Sequence, residues 1–169
     1  MPETAHPALP IEAERWFNTD RPLSLDMFRG KVVVLHAFQM LCPGCVAHAV
    51  PQARRLHEIA KSLDDLVVLG IHTVFEHHAA MTPVSLEAFL HEYRLTFPVA
   101  VDRPSPDGPI PRTMAAYGFK GTPSTVVIDR RGYVARHSFG PEDDLVLGLL
   151  LGNLLSATAL SDPSLSGRP

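Results

Sequence analysis

The chain of 169 residues has two cysteines, Cys42 and Cys45, with Pro43 and Gly44 between them. Before them stands Val32-Val33-Val34-Leu35-His36-Ala37-Phe38, a continuous apolar and β-branched run of the kind carried by a strand buried on both faces. After them Val46, Ala49, Val50, Ala53, Leu56 and Ile59 recur at helical spacing. The pair therefore lies where a strand passes into a helix. Cysteines three apart across one helical turn can close a disulfide, and the unpaired amides and dipole of a helix start favour a thiolate on the first. A thiolate attacks disulfides, so the pattern reads as thiol–disulfide exchange led by Cys42. Pro43 suits a first helical turn, and Gly44 lets the backbone approach a neighbour closely.

The rival chemistry is metal binding. Structural zinc usually takes four ligands, and the sequence offers no second cysteine pair. His48 lies three residues beyond Cys45, a spacing that shares a helix face, and His72, His77 or His78 would supply a distal donor. A copper- or zinc-binding protein is one alternative reading. A non-catalytic binding module is another.

The flanking periodicities predict the elements that position these residues. A short edge strand is expected at 14–18 and a helical turn at 23–28 closed by Gly30. The strand at 32–38 leads through the cysteines into a helix in which Pro51 forces a kink. A second buried strand spans 66–74, and a helix spans 83–94 with Thr82 as N-cap and Pro83 first. Residues 97–101 are extended and 112–117 form a brief helix. Residues 125–129 and 133–139 make a hairpin whose Arg130 and Arg131 read as a solvated tip. Glu142, Asp143 and Asp144 open a last helix, apolar on more than one face over 145–155, with Gly148 and Gly152 permitting close helix approach. That breadth makes a homodimer an expectation.

This order predicts one α/β domain with a central mixed β-sheet flanked by helices, over residues 13–160. An extended arm precedes it at 1–12, and a flexible tail follows at 161–169. If the strands at 32–38 and 66–74 run parallel and the strand near Thr125 antiparallel to them, all three meet at one rim, and the cysteines, residues 72–78 and Pro123 can gather at one edge.

Composition narrows the partners. A net charge of −3 with 46% hydrophobic residues excludes a disordered chain and gives no global positive field for nucleic acid. The longest apolar stretch, 145–151, is far below the ~20 residues that span a bilayer. Residues 1–10 have neither the positive start nor the apolar run of a secretory signal, so a cytoplasmic protein is expected, with no membrane partner.

The segments GKVVVLHAFQMLCPGC (30–45), LTFPVAVD (95–102) and GTPSTVVIDRRG (121–132) resemble the thioredoxin-like superfamily, most closely its TlpA/ResA-like redoxin branch. The resemblance covers roughly residues 22–156. It implies a thioredoxin-like fold with the two parallel strands adjacent and the hairpin continuing the sheet antiparallel. It also implies a cis bond at Thr122–Pro123 facing the cysteines, with Thr122 and Pro123 binding the backbone of a substrate. The implied activity is a thiol–disulfide oxidoreductase, read as a reductase. Cys42 is its nucleophile and Cys45 resolves the mixed disulfide. Substrates would be disulfide-containing proteins or small thiols, re-reduced by an electron donor that the residues do not identify. No cofactor is required, because the dithiol stores both electrons.

Three departures accompany the match, and two related patterns fit less well. Leu41 stands where the family usually has an aromatic before the first cysteine. His36 stands where a buried acid or Asn is usual, which makes it a candidate proton acceptor for Cys45. Pro51 falls six residues after Cys45 instead of five. Copper-delivering Sco proteins, which share the fold, space their cysteines one residue further apart. A peroxiredoxin pattern, Pro-x3-Thr-x2-Cys, fails here because Phe38 and Cys42 occupy its Pro and Thr positions.

Overall fold

The structure, a computed structural model, describes residues 6–157. The tail expected at 161–169 lies outside the described residues, as do the first five residues of the arm. Six strands form one sheet: β1 (Ala13–Phe17), β2 (Val32–Phe38), β3 (Leu66–His72), β4 (Val99–Asp102), β5 (Ser124–Ile128) and β6 (Val134–Phe139). Their spatial order is β1-β4-β3-β2-β5-β6. β2 and β3 run parallel, as do β3 and β4, while β1, β5 and β6 pair antiparallel with their neighbours.

Alternation along β2 explains why its whole run is buried. Val32, Val34 and Phe38 point into a core with Cys45, Val50, Ala53, Leu86, Leu90, Leu147 and Leu151. Val33, Leu35 and Ala37 point into a second core with Met114, Tyr117 and Phe119. The first face is covered by α1 (Val50–Ala60), α2 (Pro83–Glu92) and α4 (Asp144–Ser156), and the second by α3 (Arg112–Tyr117). The described part of the arm is docked on this second side. The Ala8 amide donates to Gly132 carbonyl at 2.9 Å, the Val134 amide to His6 carbonyl at 2.8 Å, and the Tyr117 hydroxyl to Leu9 carbonyl at 2.6 Å.

Local chemistry places most ends. Thr82 caps α2 by accepting from the Ser85 amide at 3.2 Å, and α2 stops at Glu92 because Arg94 turns left-handed (φ 54°). Asp143 caps α4 through the amides of Leu145 and Val146. Two expectations need correction. The irregularity expected as a kink at Pro51 is a π-turn over Cys45–Ala49, directly before α1, with the Val50 amide bonded to the Cys45 carbonyl. The widened turn takes up one extra residue between Cys45 and the proline, leaving Pro51 in the first turn of α1, where its missing amide costs little. Arg130 is not a solvated tip. Its guanidinium bonds the carbonyls of Gly30, Leu154 and Leu155 and the Asp65 carboxylate, tying the hairpin to the C-terminal end of α4. Arg131 is exposed as expected and pairs with Asp129.

The sheet caps a helix at one further point. The buried Asp102 carboxylate accepts from the amides of Thr113 (2.8 Å) and Met114 (3.0 Å) and from the Thr73 hydroxyl (2.9 Å). Asp102→Ala strands three buried donors and is expected to destabilise the fold by about 2–4 kcal/mol. Urea unfolding followed by circular dichroism measures it; a loss below about 1 kcal/mol contradicts the capping role.

On α4, Leu147 and Leu151 are buried, whereas Leu145, Val146 and Leu149 are exposed. Among the described residues, nothing beyond the helix's own backbone comes within 4 Å of a Cβ placed on Gly148 or Gly152, so within that part of the chain these glycines serve no close packing. Among the described residues, no helix is long and apolar enough to cross a membrane.

Candidate active site

β2 and β3 end together, Phe38 opposite His72, and the chain leaves β2 into the turn that carries the cysteines. That turn is pinned from below. The Gln39 side chain donates to Thr73 carbonyl at 3.1 Å, and the Met40 amide donates to Nε2 of His72 at 3.2 Å. His72 therefore accepts with a neutral ring, and burial pushes its pKa down to about 4. The Cys42 amide then closes the turn on Gln39 carbonyl at 3.2 Å.

The two thiols are free, with their sulfurs 2.6 Å apart. Cys42 is half-buried and Cys45 is 0% exposed. The Cys45 amide donates to Sγ of Cys42 at 3.2 Å, and the Cys42 thiol donates to Thr122 carbonyl at 3.4 Å. Burial, reinforced by the hydrogen bond to Cys42, pushes the Cys45 thiol up to about 12, against the smaller opposing effect of hydrogen bonds from Gln39 and Thr122. The outer sulfur is thus the accessible one. The inner one keeps its proton until something takes it.

The Thr122–Pro123 bond is cis, and a Cβ on Gly44 would lie 3.5 Å from Pro123 Cδ. Gly44 is where the cysteine turn comes against Pro123. Pro123 carbonyl is taken by the Gly140 amide at 2.8 Å, so the chain after β6 closes on the same loop. Phe139 ends β6 opposite Ser124 with 58% of its surface exposed, and a Cβ on Gly121 would lie 3.0 Å from its ring. With Leu41 at 55% exposure, it gives the loops around Cys42 two large apolar side chains. The chain thus has an exposed aromatic against Gly121, next in sequence to Thr122. Sequence patterning could not show this, since Phe139 sits at a hairpin end with no local signal.

His36 lies in the middle of β2 on the face shared with Cys45, and is 2% exposed. Its Nδ1 lies 3.5 Å from the Thr125 hydroxyl, and its Nε2 has no hydrogen-bond partner among the described residues. Neither nitrogen bonds a sulfur. Burial pushes the ring down to about 4, with Glu142 pulling the other way. Glu142 is the second residue that sequence reasoning missed, having counted only as a helix-opening acid. Its side chain is 3% exposed and takes a paired contact from Arg136 at 2.8 and 3.1 Å and a hydrogen bond from the Ser138 hydroxyl. Burial raises the Glu142 carboxyl, but these hydrogen bonds outweigh it and hold it below its ordinary value, so it carries its charge.

The histidines do not assemble around the cysteines. The π-turn rotates His48 outward while Cys45 points in, so the two share no face, contrary to the α-helical spacing expected. His72 holds Met40, and His78 lies on an exposed loop 3.2 Å from Pro109 carbonyl. Among the described residues no cluster of three or more His, Cys, Asp or Glu forms a metal-ligand set.

The model of the AhpC/TSA family matches residues 5–137. A solved thiol-disulfide isomerase from Corynebacterium glutamicum is 49% identical, with a TM-score of 0.85 over 90% of this chain and 97% of that one. A solved thioredoxin-like superfamily protein is 51% identical, with a TM-score of 0.84 over the same shares. Among curated proteins, NHL repeat-containing protein 2 of Gallus gallus is 32% identical over 90 residues, which is 52% of this chain and 12% of that protein. The chain thus matches only a small part of that relative's length.

Proposed function

The chain belongs to the AhpC/TSA family, with a thioredoxin-like fold, and we propose that it is a CxxC thiol–disulfide oxidoreductase working as a reductase. The observation that carries this reading is the asymmetry of the two thiols: an accessible Cys42 bonded by a helix-start amide, and a fully buried Cys45 whose sulfur is 2.6 Å away.

Cys42 acts as thiolate, and the Cys45 amide provides the contact that an anionic sulfur needs. It attacks one sulfur of a substrate disulfide, that bond breaks, and the first substrate thiolate leaves. Cys45 then loses its proton and attacks Sγ of Cys42. The Cys42–Cys45 bond forms and the second thiolate leaves, so two electrons pass from the dithiol to the substrate. Thr122 and Pro123 border Cys42 and would hold the substrate backbone, with Leu41 and Phe139 offering apolar contact to a protein substrate. His36 is the proton acceptor for Cys45 in this scheme, its Nε2 carrying no hydrogen bond to any described residue. A thiol or dithiol donor restores the pair.

The purified protein is expected to reduce insulin disulfides in the presence of dithiothreitol, read as turbidity, faster than dithiothreitol alone. A glutathione titration then gives its potential and hence its direction. A Cys42–Cys45 bridge that forms readily while insulin reduction stays at the background rate would convert the reading to a binding module.

A further inference from the structure

A row of polar side chains crosses the sheet beneath Cys45. His36 on β2 is in register with Thr125 on β5, and Thr125 with Ser138 on β6. All three lie on the face that Val34, Phe38 and Val127 share with Cys45. The row ends at Glu142, which accepts from Ser138. Nothing in the reaction as described uses this buried carboxylate, and an apolar face would pack a leucine or valine there at lower cost.

The ring chemistry connects the two ends. With hydrogen on Nδ1, His36 donates to Thr125 Oγ1, and Nε2 presents a bare lone pair. A buried imidazole that takes a proton must carry a positive charge in a low-dielectric surrounding, which is costly unless a negative group faces it. We propose that Glu142 is a positioning residue for the Cys45 half of the reaction, its carboxylate lowering the cost of the transient positive charge as the His36 ring takes the proton of Cys45. The inference rests on the oxidoreductase reading and adds to it a residue from the far edge of the sheet.

The step balances as follows. The Cys45 S–H bond breaks and the proton goes to Nε2 of His36. The electron pair left on Sγ makes the bond to Cys42, the Cys42–substrate bond breaks, and the departing thiolate takes a proton as His36 returns its own to solvent. Other charges around the ring do not cancel the effect. β3 places only Gly70 beside His36, α1 contributes the neutral Gln52, and Asp144 of α4 is paired with Arg55. Arg136 offsets Glu142 only in part, because its side chain is 38% exposed and screened by water while the carboxylate is 3% exposed.

Two variants test this by nuclear magnetic resonance and by kinetics. Glu142→Gln is expected to lower the midpoint at which the His36 ring titrates by about one pH unit, and Arg136→Gln to raise it. In rapid-mixing experiments Glu142→Gln is expected to slow resolution of a preformed mixed disulfide at neutral pH by about tenfold, while the rate and pH profile of Cys42 alkylation stay as in wild type. A His36 midpoint unmoved in both variants overturns the inference. So does a shifted midpoint with unchanged resolution, or a joint fall in resolution and Cys42 alkylation, which is the mark of a merely structural residue. Failure of the wild-type protein to exchange disulfides removes the oxidoreductase reading instead, and the ring titration still decides whether Glu142 acts on His36.

Discussion

Cys42→Ser is expected to lower disulfide-reductase turnover by about three orders of magnitude or more, to the rate of the reductant alone. Cys45→Ser is expected to lose steady turnover as well, yet in a different way. It accumulates one covalent substrate adduct per chain, visible by mass spectrometry. The difference follows from burial. Cys45 is wholly enclosed and its thiol is pushed up to about 12, so it cannot meet an external disulfide. Cys42 is half-buried, receives the Cys45 amide at 3.2 Å, and borders Thr122 and Pro123. Serine at 45 leaves the attack intact and removes only the resolving sulfur 2.6 Å away. Equal alkylation of both cysteines in the native protein, or turnover that survives Cys42→Ser, would remove the assignment of roles.

Acidification from pH 7.5 to pH 5 is expected to destabilise the fold strongly, well above the range where carboxylates normally titrate. Burial, which disfavours the charged ring, pushes both His36 and His72 down from the ordinary 6.5 of an exposed histidine to about 4 in the folded chain. The unfolded chain therefore takes up protons first as pH falls. Each histidine's contribution is present above pH 6.5, declines through the window between 6.5 and 4, and is fully lost below it. The loss is about 2 kcal/mol for each histidine at pH 5 and about 3 kcal/mol below pH 4, against a typical total of about 5–15 kcal/mol. His57, also lowered by burial, adds in the same sense, while Asp102, raised by burial, works against it. For His72 the loss has a visible cause, since a protonated Nε2 can no longer accept from the Met40 amide that sets the cysteine turn. Urea midpoints across this range measure the effect, and His72→Gln is expected to remove part of the slope. Stability that stays level from pH 7.5 to pH 5 contradicts the burial argument for both rings.

Periodicity carried much of the architecture. The apolar run at β2 and β3 and the Thr82–Pro83 start of α2 act through neighbours within a few residues, so each is visible in a short window of sequence. Where elements ended differently, a local backbone feature intervened. Arg94 cut α2 short, and β3 stopped at His72, where its pairing with β2 ends. The π-turn over Cys45–Ala49 showed only as a proline one place late, and its consequence for His48 required the backbone path itself. Arg130 misled because two adjacent arginines in a turn look alike in sequence, while only one reaches the end of α4.

By itself the amino-acid order determined which segments become strands and helices, and that two sulfurs one helical turn apart stand at a strand's end; burial of apolar runs and the geometry of a single turn suffice for that. Lateral arrangement was decided only by the tertiary structure. The placement of Thr122 against Cys42, of Phe139 beside Gly121, and of Glu142 at the end of a row from His36 depends on strand order and on register across β2, β5 and β6. Cys42 and Thr122 stand 80 positions apart and His36 and Thr125 stand 89 apart, and no local periodicity encodes which side chains such pairings bring face to face.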